Sequence, residues 1–300
     1  MRFLIAGSSG FLGTELTRSL RTAGHAVTTL VRRPARPERD EATWDPYHEV
    51  LERGLVEESD VVVNLAGSPT AGNPHSQKWA DELLRSRVTT TGLLSRRVAE
   101  GDRRPAYLAG NGISFYGDHG DLPLTETADS RGSALLTKVT RAWQEATQPA
   151  ADAGARVVVL RTSPVLDRRS SPFKQLLLLF RLGLGGPIGN GQQYFPVIST
   201  RDWVGAVTFA AEHEQVVGPV NLCLPEVPTN AEFTRELGRL VHRPTLLRVP
   251  APAIRVGASR LAPEVLGSVR AVPQVLLDAG YAFHDRDITA LLRQAVNRER

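Results

Sequence analysis

Three glycines, Gly7, Gly10 and Gly13, open the chain at the spacing Gly-x-x-Gly-x-x-Gly, with Ser9, Phe11 and Leu12 among the residues between them. Glycines so placed can bring backbone N–H groups against an anion that a side chain would hold off. In a dinucleotide-binding turn the first allows the tight bend and the second lets the backbone approach a pyrophosphate. The third lets a helix pack closely on a strand. The reading requires a strand before the turn and a helix after it. Phe3 to Ala6 is a short apolar run that reads as a buried strand, and Leu12, Leu16 and Leu20 keep helical spacing behind it. The first gap is one residue longer than in the usual Gly-x-Gly-x-x-Gly. The context outweighs that departure, and nucleotide binding is expected here rather than a plain glycine-rich turn.

A second set of residues bears on which nucleotide. Ala26 to Val31 reads as the next strand, stopped by Arg32-Arg33-Pro34. The end of that strand faces the adenosine ribose in such a fold; an acidic residue there favours NAD, and an arginine accommodates the 2′-phosphate of NADP. No Asp or Glu lies between Ala26 and Pro34, so Arg32 points to NADP(H), a solvated surface arginine being the alternative. Asp60 to Gly67 reads as a buried strand ending in a glycine turn, which brings Asn64, Leu65, Ala66 and Gly67 beside the nucleotide. Glu82 and Arg87 lie near one side of a long amphipathic helix, Gln77 to Glu100, within reach of a ligand or of each other.

The elements that must position these groups alternate. Further strands are expected at Pro105–Gly112, Arg156–Arg161 and Val217–Leu224, with helices at Ala134–Thr147 and Phe173–Leu182 and another starting at Asp202. Strands alternating with helices predict a doubly wound, parallel α/β sheet of the Rossmann type with a smaller, mostly helical C-terminal domain. Residues 1–165 form the expected nucleotide domain, to which 199–224 return; 166–198 and 225–300 form the substrate side. The segment from Pro34 to Glu58 is polar and proline-punctuated, with no strand expected.

Composition narrows the class further. A single cysteine, Cys223, leaves no disulfide framework, and the seven histidines show no metal-ligand spacing. The net charge of +4 comes from scattered arginine pairs without interleaved aromatics, a poor footprint for nucleic acid. No run approaches a membrane span or a signal peptide, so a cytoplasmic protein is expected. Neither Gly-x-Ser-x-Gly nor His-Glu-x-x-His occurs.

The chain resembles the extended and atypical short-chain dehydrogenase/reductases, the NAD-dependent epimerase/dehydratase family, and most of all its epimerase-like subgroup with its own C-terminal domain. The resemblance rests on Gly7–Gly13, Val63–Gly67, Ser86–Val88 with Thr90-Thr91, Phe115–Gly117 and Leu160–Thr162. It also rests on Val272–Gln274 with Ala279–Tyr281 and, most specifically, on Phe180–Gly189, and it spans essentially the whole chain. It implies that Gly7–Gly13 hold the pyrophosphate and that Arg32 and Arg33 hold the 2′-phosphate. It further implies that Leu65 and Ala66 line the adenine side, that Glu82 and Arg87 contact the cofactor, and that Val165 meets the nicotinamide end.

The family's catalytic set does not carry over. It uses a tyrosine with a lysine four residues on, which lowers the phenol's pKa toward neutrality, and a nearby serine or threonine. None of the five tyrosines here has a lysine four residues further on. Aligning the helix by Trp143-Gln144 puts Leu136 and Thr140 at the tyrosine and lysine positions, and Gly112 where the serine belongs. Asn111, as a hydrogen-bond donor to a carbonyl, and Tyr116, near the expected substrate, are the candidate substitutes. Their alternatives are a turn and plain packing. The Gly191–Phe195 loop is a candidate cap for the substrate pocket. The expectation is an NADP(H)-binding oxidoreductase or epimerase-like enzyme on a small polar or carbonyl substrate, with a homodimer allowed for. The alternatives are an NADP(H) sensor without turnover, or a non-redox isomerase or cyclase on the same scaffold.

Overall fold

The computed structural model describes residues 1–296. The chain alternates through β1 (Arg2–Ala6), α1 (Phe11–Thr22), β2 (Ala26–Val31), β3 (Glu41–Thr43) and β4 (Val61–Asn64). Next come α2 (Gln77–Glu100), β5 (Ala106–Gly112), α3 (Leu135–Glu145) and β6 (Val157–Thr162). It leaves the sheet through α4 (Ser171–Arg181) and returns through α5 (Thr200–Glu212) to β7 (Gly218–Leu222). It finishes with α6 (Asn230–Leu240), α7 (Ala262–Leu266) and α8 (Ile288–Val296), with further short helices at Ala251–Ala258 and Gln274–Asp278. The last four residues of the expected 225–300 segment lie outside the described residues.

The seven strands form one parallel sheet in the order β7-β6-β5-β4-β1-β2-β3. Strands covered on both faces must be apolar nearly throughout, which is why Leu4–Ala6 and Val61–Val63 read as unbroken apolar runs. Side chains alternate between the faces. Phe3, Ile5, Val61, Val63 and Leu108 pack with Leu16 and Leu20 of α1 and with Trp203 and Val207 of α5. Leu4, Ala6, Val62 and Tyr107 pack with Leu93, Leu94 and Val98 of α2.

The strand order reverses between β1 and β4, whose ends adjoin where Ala6 pairs with Asn64. Ligands of open α/β sheets bind at such a switch point, beyond the carboxyl ends of the strands. The sequence reading missed β3. An edge strand of three residues pairs on one side only, so its hydrophobic signal is weak; the buried Trp44 just after it is the one clue.

A third core lies away from the sheet, where Phe173, Leu177 and Phe180 of α4 meet Phe233 and Leu237 of α6 and Leu291 and Leu292 of α8. The Phe180–Gly189 run is glycine-rich because backbone crosses backbone there. A Cβ on Gly186 would sit 1.5 Å from the Leu247 carbonyl oxygen, and Pro187 and Gly189 exchange hydrogen bonds with Val249 at 2.9 Å each. The C-terminal segment is tied to α5 through buried Asp202, whose carboxylate accepts the His284 and Asp285 amides at 2.8 Å each. Among the described residues no helix is long and apolar enough to cross a membrane.

Candidate functional site

The glycine turn divides its tasks between its three glycines. Gly7 has φ +83°, and a Cβ there would stand 2.5 Å from the Leu65 carbonyl carbon. Only glycine lets β1 bend so close to the end of β4. A Cβ on Gly13 would lie 2.2 Å from the Gly7 carbonyl oxygen, so α1 rests directly on the turn. Gly10 is the N-cap of α1 and borders open space, its nearest neighbour being the Gly7 oxygen at 3.4 Å. No side chain caps this helix, and no acidic residue stands in its first turn. The first N–H groups of a helix have no intrahelical partners and carry the positive end of its dipole, so this end of α1 is left for an anion.

The turn opens onto a cleft of about 790 Å³, bordered by Gly7, Ser9, Gly10, Arg32, Arg33, Leu65, Ala66, Gly67 and Glu82. Phe11, Leu12 and Gly13 stand behind it. Leu12 packs into the core, while the Phe11 ring carries the Arg169 guanidinium at 5.3 Å. Arg169 in turn binds Glu15 at 2.6 Å and Asp167 at 2.7 Å, joining the segment after β6 to α1 beside the turn.

The two arginines after β2 are not equivalent. Arg33 makes a bidentate pair with Glu41, 2.7 Å at each oxygen, and holds that carboxyl at about 2. Arg32 lines the cleft and has no carboxylate partner among the described residues. The strand that sequence reading missed therefore supplies the acid that occupies one arginine and leaves the other available.

Glu82 accepts a hydrogen bond from the Tyr47 hydroxyl at 3.1 Å and pairs with Arg85 at 3.3 Å, which places this trio on the cleft wall. It does not pair with Arg87. Arg87 lies beneath Gly67, where a Cβ would touch its Cγ at 3.3 Å. Its guanidinium donates to the Leu83 carbonyl and to Thr70 Oγ1 at 3.1 Å each and lies over the Trp143 ring. Desolvation alone lowers its pKa to about 10, with no carboxylate to offset it. Val165 packs against the main core beside Pro164, outside the cleft.

Sequence reading also missed what shapes the Leu65–Gly67 turn. Asn64 is fully buried, takes the Ala66 amide on Oδ1 at 3.0 Å and donates to Thr91 Oγ1 at 2.8 Å. Thr91 Oγ1 also accepts from the Trp143 indole at 2.8 Å. The signal in the sequence is an asparagine at the end of a buried strand, immediately before the turn.

Both catalytic candidates are tied into the interior by hydrogen bonds. Tyr116 is fully buried; its hydroxyl donates to Asn221 Oδ1 at 2.7 Å and accepts from Arg161 at 2.8 Å. Burial pushes its pKa up to about 12, opposite to what an acid/base at neutral pH needs. Asn111 donates to the Thr140 carbonyl at 3.0 Å, and its Oδ1 accepts the Gly112 amide at 2.7 Å, so it fastens β5 to α3. Thr140, at the expected lysine position, turns its hydroxyl back to the Leu136 carbonyl at 2.8 Å.

Leu136, at the expected tyrosine position, faces a second cavity of about 730 Å³ beyond β5 and β6. Its wall is largely apolar, with Phe180, Tyr194, Phe195, Phe233 and Val265, and includes Gln193 of the loop expected to cap the pocket. Glu264 of α7 enters it from the C-terminal segment, its Oε1 accepting the Leu136 amide at 2.6 Å.

Comparison with known proteins agrees with this arrangement. The model of the NAD dependent epimerase/dehydratase family matches residues 3–223, and that of a domain of unknown function (DUF1731) matches residues 249–295. An epimerase family protein of Mycobacterium tuberculosis is 39% identical over 98% of this chain and 97% of its own. The crystal structure of human epimerase family protein SDR39U1 with NADPH superposes with a TM-score of 0.87 at 31% identity, covering 98% of this chain and 99% of that one. A structure described as a nucleoside-diphosphate sugar epimerase from Corynebacterium glutamicum gives a TM-score of 0.80 at 32% identity, over 99% of this chain and 58% of that one. The chain belongs to the NAD dependent epimerase/dehydratase family.

Proposed function

We propose that the chain binds NADP(H) and uses it on a small molecule held in the neighbouring cavity, as an oxidoreductase or epimerase-like enzyme without the usual tyrosine–lysine pair. The observation that carries the reading is the pairing of an uncapped helix start behind Gly10 with the unpaired Arg32 in one cleft. The N–H groups of the α1 start would take the pyrophosphate, and Arg32 the 2′-phosphate, as a charge-assisted contact. Arg33 is engaged by Glu41 and would contribute through the general field. Leu65, Ala66 and Gly67 would line the adenine side, with Glu82 and Tyr47 beside them. Arg87, poor in solvation and lacking a counter-ion, would favour negative charge near Gly67. Bound there, the cofactor would supply hydride exchange at its nicotinamide.

The NADPH-bound human relative supports the choice of NADP(H), as does the absence of an acidic residue between Ala26 and Pro34. The test is titration of the purified protein with NADPH and with NADH, repeated with Arg32→Ala. NADPH is expected to bind at least about tenfold more tightly than NADH, with the substitution removing about 1–3 kcal/mol from NADPH alone. Equal affinities before and after the substitution would sink the 2′-phosphate assignment.

A further inference from the structure

The apolar cavity carries more information than its position. Its charged lining residues are Asp118, Arg131 and Glu264, two acids and one base. Arg131 is exposed and paired with Asp129 at 3.0 Å, so the cavity offers no uncommitted cation among the described residues. The pyrophosphate of a nucleoside-diphosphate sugar needs arginines or clustered N–H donors, and none is gathered here. At the start of α3, which points this way, Glu264 Oε1 takes the Leu136 amide at 2.6 Å. Its other oxygen, Oε2, is buried and has no hydrogen-bond partner among the described residues. A buried carboxyl oxygen without a donor is costly unless a ligand completes it.

We propose that this cavity takes a neutral or cationic, largely apolar small molecule whose hydroxyl or amine donates to Glu264 Oε2, and does not take a nucleoside-diphosphate sugar. This deepens the functional reading, on which it rests for the identification of the cavity as the substrate end of the site. The carboxyl stands beside Leu136, where the family's tyrosine would be. It is the one titratable group of the lining bonded to that position, and so the group placed to exchange a proton with a ligand oxygen or nitrogen. Burial raises its pKa above the ordinary carboxyl value.

The experiment is isothermal titration of the full chain with benzylamine, benzyl alcohol, benzoate and UDP-glucose, alongside Glu264→Gln and the cavity-narrowing Leu176→Trp. Folding of each variant is checked by circular dichroism. Benzylamine is expected to bind more tightly than benzyl alcohol, with no heat from benzoate or UDP-glucose. Glu264→Gln should weaken the amine at least tenfold, and Leu176→Trp should weaken amine and alcohol alike. UDP-glucose binding in preference to the amine would overturn the proposal. So would absence of amine and alcohol binding, or amine binding unchanged by either folded variant. NADPH fluorescence on the same samples separates the two readings. Amine binding without NADPH binding defeats the cofactor assignment alone, and the reverse result defeats this one alone.

Discussion

The cleft at the glycine turn and the cavity beside Leu136 open along the same edge of the sheet, yet they are built by opposite means. The cleft is a backbone device. Its essential groups are N–H donors at the start of α1 and the space left by Gly7, Gly10 and Gly13, with Arg32 as its one uncommitted charge. The cavity is a side-chain device, assembled from the turn after β5 and from α3, α4, α6 and α7, with the buried, unpartnered Glu264 Oε2 in its wall. A backbone cradle is tolerant of side-chain change except where Cβ atoms would collide. A side-chain cavity can change its ligand by a few substitutions without disturbing the sheet.

The comparison is broken most severely at Gly13. Gly13→Val would drive a branched side chain into backbone that lies 2.2 Å from the Cβ position. That overpacking should cost about 3 kcal/mol of stability or more and abolish NADPH binding, as read by urea unfolding and cofactor titration. An unchanged unfolding midpoint would mean that the turn does not depend on close approach.

Next in size is the contrast between the two arginines. Arg32→Ala should remove most of the preference for NADPH, whereas Arg33→Ala should change NADPH affinity by less than about threefold, its guanidinium being half-exposed and held by Glu41. A larger effect at Arg33 would reverse the assignment.

Tyr116→Phe sharpens the comparison from the other side. It deletes a hydroxyl that accepts from Arg161 and donates to Asn221 in the interior, so about 1–3 kcal/mol of stability should be lost. NADPH affinity should stay as it was; a fall in affinity with stability intact would return Tyr116 to the site.

The smallest effect concerns pH. Burial raises the carboxyl pKa of both Glu126 and Glu264 above the ordinary 4.5. The native state then holds protons that the unfolded chain releases. The stability gained in this way is fully present below the unfolded value and is lost as pH rises through the folded one. Melting temperatures of Glu126→Gln and Glu264→Gln should therefore improve relative to the parent chain as pH rises above the ordinary carboxyl value of 4.5. A difference that stays constant with pH would show that these carboxyls titrate normally.

Several features were legible in the residues themselves. The apolar runs of β1, β4, β5 and β6 cannot sit anywhere but inside a covered sheet. The glycine spacing beside Leu12, Leu16 and Leu20 specifies a turn into a helix, and no tyrosine has a lysine four residues further on. These are local or compositional properties, carried by backbone preference and by residue type.

Other features depended on residues far apart in the chain. Whether Arg32 or Arg33 is free was decided by Glu41 on an edge strand too short and polar to leave a sequence signal. Asn111 and Tyr116 have the right chemistry for a site, but their partners Thr140, Arg161 and Asn221 turn them inward. Glu264 reaches the Leu136 amide across 128 positions of sequence, and nothing around residue 264 announces a pocket. The direction a polar side chain faces, and whether its hydrogen bonds are already taken, are set by packing between distant segments. The tertiary structure alone decided them.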